Sequence, residues 1–156
     1  MIPELGQFAL ILALLLSLVQ CVLPILGAHL GNRALIAVAR PAVAGQAVFI
    51  VFAFAILTYA FLVQDFSVAY VAQNSNLQLP WWYRFPAVWG AHEGSLLLWV
   101  FILDVWTLAV AALGGKLPER FHARVLGVLG FVAFGFLLFS LTTSNPFARM
   151  IPAPAA

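Results

Sequence analysis

The chain has 156 residues, 65% hydrophobic and only 8% charged, and its mean hydropathy of +1.08 excludes an ordinary water-soluble domain, which is about half apolar and a quarter charged. Its net charge of +2 comes from seven Lys/Arg against five Asp/Glu spread singly along the sequence, so no basic cluster marks it for nucleic acid. The apolar runs are long enough for helices of about 20 residues across ~30 Å of hydrocarbon, and the alternating segments of an outer-membrane barrel are missing.

The expectation is an all-α integral membrane protein, a polytopic helical bundle of about four transmembrane helices in one domain. The first helix is predicted over about 5–28, interrupted only by Ser17, Gln20 and Pro24. It follows Glu4 rather than a positively charged stretch, which argues for a retained helix over a cleaved signal peptide. A connection with His29, Asn32, Arg33 and Arg40 leads to Pro41, which suits a helix's first turn because its missing N–H would be unpaired there anyway. The second helix is predicted over 41–63, ending at Asp65. The connection 64–87 holds Asn74, Ser75, Asn76, Gln78, Pro80, Trp81, Trp82, Tyr83 and Arg84, a polar and aromatic composition that belongs at the membrane interface. A third helix is predicted over about 88–113, and a fourth over 125–143 after a basic connection with Lys116, Glu119, Arg120, His122 and Arg124.

Positively charged connections stay on the cytoplasmic side. Arg33, Arg40, Lys116, Arg120 and Arg124 lie in the first and third connections, against Arg84 and Arg149 elsewhere. Both termini and the loop 64–87 are therefore expected to face outward, which means the periplasm and a bacterial inner membrane if the host is a Gram-negative bacterium. Cys21 is the only cysteine, which rules out a disulfide within the chain and a thiolate cluster. No CxxCH is present to carry covalent haem.

Trp81, Trp82 and Tyr83, followed by Trp89, His92, Glu93, Gly94, Ser95 and Trp99, form the one unusual constellation. If the third helix has begun by Trp89, then Trp89, His92, Leu96 and Trp99 share a face, and two indoles flank an imidazole near the outer rim. Such a surface suits a flat aromatic ligand or a partner peptide; the plainer reading is an aromatic belt with one interfacial histidine. Glu93 and Asp104 are eleven positions apart, on one face and about 16 Å apart along the axis. An intramembrane carboxylate is costly and marks either a proton relay or a hydrogen-bonding group inside the bundle, with Gln46, Thr58, Tyr59 and Thr142 as possible neighbours. Two imidazoles that ligate one haem lie close together, whereas the faces of the bilayer are about 30 Å apart. His92 is expected outside and so has no partner within the chain; His29 and His122, expected on the other side, could meet in principle, but both sit in basic connections where a solvated or headgroup-facing role is expected, and no axial haem ligand is assigned. No Ser/His/Asp set, phosphate loop or HExxH spacing is present, so neither a catalytic nor a metal site is assigned within the chain.

The run Val68-Ala69-Tyr70-Val71-Ala72, then Asn74-Ser75-Asn76, Leu79-Pro80, Tyr83-Arg84, the block Trp89-Gly90-Ala91-His92-Glu93-Gly94-Ser95-Leu96-Leu97-Leu98-Trp99, and Thr143-Ser144-Asn145-Pro146-Phe147 resembles the N-terminal part of the CcmF/NrfE family. These are the membrane haem lyases of System I cytochrome c-type biogenesis. The resemblance implies a parent enzyme, a holocytochrome c synthetase with haem b. It would take haem from a CcmE-type haem chaperone and attach it to reduced apocytochrome c, with CcmH-type thiol proteins as partners. The family's WWD segment and haem-binding histidines lie beyond this chain's length and map onto none of His29, His92 or His122. The alternative, of another class, is a proton- or solute-transporting subunit using Glu93 and Asp104; a third is a purely structural bundle.

Overall fold

The computed structural model describes residues 1–152, and within them the secondary structure is helical apart from one isolated bridge. The helices are α1 (Ile2–Leu30), α2 (Arg33–Ala37), α3 (Ala39–Leu62), α4 (Ala69–Asn74), α5 (Trp81–Ala87), α6 (His92–Leu113) and α7 (Glu119–Thr142), with a single 3₁₀ turn at Gly114–Lys116. Four of them, α1, α3 with the preceding α2, α6 and α7, are long and apolar enough to cross a membrane. The protein is thus an all-helical, multi-pass membrane protein.

The four long helices form a ring in which α1 packs on α3 and α7, and α6 closes the ring opposite α1 by packing on the same two. Lipid is as apolar as Leu, so close approach depends on small residues. The buried stripe of α1 includes Gly6, Ala9, Ala13, Ser17, Gln20, Pro24 and Gly27 at three- to four-residue spacing. It meets Gly127 and Gly130 of α7: a Cβ on Gly127 would lie 2.4 Å from the Ile25 side chain, and one on Gly130 3.0 Å from the Cys21 nitrogen. Gln20 adds a buried bond, its Nε2 donating to the Leu126 carbonyl at 2.8 Å.

Met1, Glu4, Asp65 and Arg149 meet at one end of the ring, where Arg149 pairs with Glu4 at 2.6 Å and with Asp65 at 3.8 Å, and donates to Ser67 Oγ. A short antiparallel pairing joins the two segments there, Ala69 N–H to Ala148 O at 2.8 Å and Met150 N–H to Ser67 O at 3.0 Å. At the opposite end Gly31, at φ 71°, terminates α1, and Asn32 caps α2 by accepting from Ala34 and Leu35 at 3.0 and 3.4 Å. The sequence holds five Lys/Arg around that end, namely Arg33, Arg40, Lys116, Arg120 and Arg124.

Three expectations are corrected. The third long helix starts at His92 rather than 88, because Trp89, Gly90 and Ala91 form a turn with Ala91 in an extended N-cap conformation. The fourth starts at Glu119 rather than 125, since its charged first turns extend past the apolar run and still satisfy their own backbone. His122, expected in solvent, is only 9% exposed. It lies on that helical extension, and its Nε2 is bonded to the Val110 carbonyl at 2.9 Å.

Candidate functional site at one end of the bundle

The 64–91 connection is built on Tyr70. This residue is 2% exposed and packs edge-on to Phe61 with ring centroids 5.3 Å apart. Its hydroxyl donates to the Val88 carbonyl at 2.9 Å and receives the Ala91 N–H at 3.3 Å. Burial pushes the phenol above the usual tyrosine range, and the Glu93 carboxylate adds to that shift. The Val88 carbonyl lies directly over Gly94, where a Cβ would sit 1.7 Å from that oxygen and 2.5 Å from the Tyr70 hydroxyl. Glycine is therefore required there by close approach of another backbone. Ser95 finishes the turn by donating to the Trp89 carbonyl at 2.7 Å.

On this frame α5 lies across the end of α3. Arg84 holds it, with Nε donating to Leu79 O and Nη1 to Leu62 O, both at 3.0 Å. Trp81 and Trp82, exposed by 69% and 58%, stand edge to face with centroids 5.8 Å apart. Trp89 pairs at 5.2 Å with Phe85, not with His92, because the chain turns between them and the two share no helix face. His92 is exposed in the first turn of α6 and meets Phe139 of α7 edge-on at 6.2 Å. Glu93 sits half-buried beside it, at the end of the helix where the dipole favours a carboxylate. Trp99 is two turns further along and 67% exposed on the outer side of α6.

The candidate residues thus form three groups at one end of the bundle, the Trp81–Trp82 pair, the Phe85–Trp89 pair and His92 with Glu93, while Trp99 faces outward from the span. An apolar groove of about 370 Å³ between α6 and α7, lined by Leu96, Phe131, Val132, Gly135, Phe136 and Phe139, begins beside His92. His29 and His122 belong to the other end of α1 and α7. Of the residues that fix this geometry, Gly94 and Ser95 stand in the sequence constellation without a role, whereas Tyr70 and Arg84 are not singled out there as site residues and are marked only by the blocks that carry the family resemblance.

Asp104 lies deep in α6 at 3% exposure and accepts from Gln46 Nε2 of α3 at 2.5 Å. Of the four neighbours open to it, only Gln46 is in contact. The carboxyl belongs to a buried interhelical hydrogen bond.

No protein-family model matches the chain. Its sequence is 61% identical over 152 residues to the cytochrome c-type biogenesis protein CcmF of Pseudomonas aeruginosa, covering 97% of this chain and 23% of that protein. It is 49% identical over 152 residues to CcmF of Escherichia coli, covering 97% and 24%. It is also 41% identical to the cytochrome c-type biogenesis protein NrfE of Haemophilus influenzae over 99% of the chain and 24% of the relative. The fold superposes on a solved cytochrome c haem lyase CcmF with a TM-score of 0.89 and 33% identity, over 94% of this chain and 25% of that one. The chain spans about a quarter of the relatives it matches, and these comparisons give no support to a transporter using Glu93 and Asp104. From the Trp89–Trp99 block, the Tyr70–Gly94 frame it folds against and the match along nearly all of its length, the chain is similar in sequence and fold to about one quarter of the cytochrome c-type biogenesis proteins CcmF and NrfE.

Proposed function

We propose that these 156 residues are one transmembrane domain of a cytochrome c haem lyase in a bacterial inner membrane, with both termini and the 64–91 connection on the periplasmic side. The observation that supports this reading most is the agreement of fold and sequence with a solved haem lyase. The charge distribution supports the orientation, because five of the seven Lys/Arg belong to the end away from α5.

Haem is the substrate of that reaction, and this chain's part in it is contact rather than ligation. Trp81, Trp82 and Trp89 offer indole faces at the outward end, and His92 and Glu93 add one imidazole and one carboxylate. Aromatic contacts hold a flat macrocycle without a metal bond, each worth about 0.5 to 1.5 kcal/mol beyond its burial. Two or three of them shift binding by roughly ten- to a thousandfold. A CcmE-type chaperone delivering haem, apocytochrome c receiving it and a CcmH-type thiol protein keeping the acceptor reduced are the partners of this surface. Attachment to the CxxCH thiols takes place on groups outside the chain.

The test is holocytochrome c yield from a full-length lyase carrying Trp89→Ala or His92→Ala, with membrane insertion measured in parallel. Yield falls while insertion is kept if the surface contacts haem or a partner. His29→Ala is the control, being exposed at the opposite end. Wild-type yield from both outer variants reduces the surface to an interfacial aromatic belt.

A further inference from the structure

A second site lies at the basic end. A cleft of about 350 Å³ opens between α2, the start of α3 and the start of α7, lined by Ile36, Ala37, Ala39, Arg40, Glu119, His122, Ala123 and Leu126. It exists because its walls carry small side chains: Ala37, Ala39 and Ala123 leave space that larger residues would fill. Its lining is amphiphilic, with Ile36, Ala37 and Leu126 continuing the apolar surface of the spans and Arg40, Glu119 and His122 supplying polar groups. The ring of His122 is nine-tenths buried. Its Nε2 is taken by the Val110 carbonyl, which leaves Nδ1 as the ring nitrogen without a protein partner among the described residues. Arg40 is exposed at the rim and makes no hydrogen bond or ion pair among the described residues. Glu119 is held by Arg33 at 3.6 Å, which offsets its charge.

We propose that this cleft binds the phosphate of an anionic, hydroxyl-bearing phospholipid headgroup. The Arg40 guanidinium takes the phosphate oxygens, and His122 and Glu119 accept from the headgroup hydroxyls. Arginine's planar fork fits phosphate in a bidentate fashion. Basic pockets between transmembrane helices on the positively charged side of a membrane protein bind anionic headgroups. The whole end is biased the same way, since Arg33, Arg40, Lys116, Arg120 and Arg124 face a single acidic residue, Glu119, in that part of the sequence. The positive ends of the α3 and α7 dipoles point into the same region. A lipid is preferred over free phosphate because five of the eight lining residues, Ile36, Ala37, Ala39, Ala123 and Leu126, are apolar, which suits the glycerol and upper acyl chain. The proposal does not depend on the haem-lyase reading.

Native mass spectrometry of the detergent-solubilised chain, titrated with dioleoylphosphatidylglycerol, dioleoylphosphatidylcholine or inorganic phosphate, tests it. One saturable phosphatidylglycerol is expected, with phosphatidylcholine binding at least tenfold more weakly and millimolar phosphate failing to displace the lipid. Arg40→Gln lowers the phosphatidylglycerol affinity about tenfold. Ala37→Trp, which fills the cleft and leaves every charge in place, does the same. Arg124→Gln, exposed at the same end but outside the cleft, leaves binding unchanged. Equal losses from Arg40→Gln and Arg124→Gln together with no loss from Ala37→Trp overturn the site in favour of diffuse surface charge. Equal binding of the two lipids, or displacement by inorganic phosphate, overturns the headgroup assignment.

Discussion

Gln46 on α3 donates its side-chain amide to the carboxyl of Asp104 on α6 at 2.5 Å, with the two side chains 1% and 3% exposed. It is a side-chain hydrogen bond tying α6 to α3, the neighbour that carries α6 into the ring. Intramembrane pairs of this kind average about 0.6 kcal/mol and reach about 1.7 in double-mutant cycles. Asp104→Asn keeps a partner for Gln46 and should hold thermal stability in detergent near wild type. Asp104→Leu leaves the Gln46 amide buried and unpaired and should lower it. A Gln46→Leu/Asp104→Leu double variant more stable than the Asp104→Leu single is the expected sign of coupling; stability equal to the sum of the single losses counts against the pair.

Gly94 is the tightest position at the end of the bundle that carries α4 and α5. Gly94→Ala places a Cβ against the Val88 carbonyl, a backbone atom that cannot rotate away, so a cost at or above the usual ~1 to 3 kcal/mol of overpacking is expected. Gly90→Ala meets nothing nearer than 3.5 Å and should be tolerated. Thermal unfolding of the two variants side by side decides the point, and equal stability would show that the turn rearranges without cost.

Tyr70→Phe removes the bonds to Val88 and Ala91 and is expected to cost about 0.5 to 1.5 kcal/mol. The phenol also gives a pH signature. Its folded pKa is raised by burial, so its contribution is complete below the unfolded value of about 10 and is lost as pH rises through the folded value. Stability of the wild type should therefore fall more steeply above pH 10 than that of Tyr70→Phe. Parallel curves would mean that the hydroxyl is solvated.

Single cysteines at Asn76 and Lys116 in a Cys21→Ser background should react with a membrane-impermeant reagent from opposite sides. Both positions labelling from the outside in intact cells contradicts the orientation drawn from the basic connections.

The isolated chain should not give a low-spin, six-coordinate bis-histidine haem spectrum in which His92 is a ligand, because His92 is at one end of the bundle and His29 and His122 belong to the other. A sharp spectrum of that type, lost in His92→Ala, would refute this.

The four spans were legible in the sequence because in lipid each backbone donor and acceptor must be paired within its own segment, so a long apolar run has no alternative to a helix. The distribution of Lys and Arg was equally local. The family resemblance was legible too, through the Trp89–Trp99 block, although the sequence did not say why the block looks as it does. Gly94 and Ser95 are there because the chain turns back at Val88 and Trp89 against the start of α6. That turn depends on where Tyr70 packs, eighteen residues away from Val88.

What only the tertiary structure decided concerns which helix faces which. Periodicity placed Asp104 on a face but could not choose Gln46 from four candidates, since the choice depends on how α3 and α6 are set against each other. Charge pattern assigned His122 to a solvated connection, whereas Gly114 leaves room for its ring and the Val110 carbonyl at the end of α6 accepts its hydrogen bond. Helix periodicity, had α6 begun by Trp89, joined Trp89 to His92, whereas the observed contacts pair Trp89 with Phe85 and His92 with Phe139. Apolar length and terminal charge act within one segment and are determined by the sequence alone. Burial of a polar side chain and the partner it finds are properties of the gap between segments, and the packing of small residues across that gap determines them.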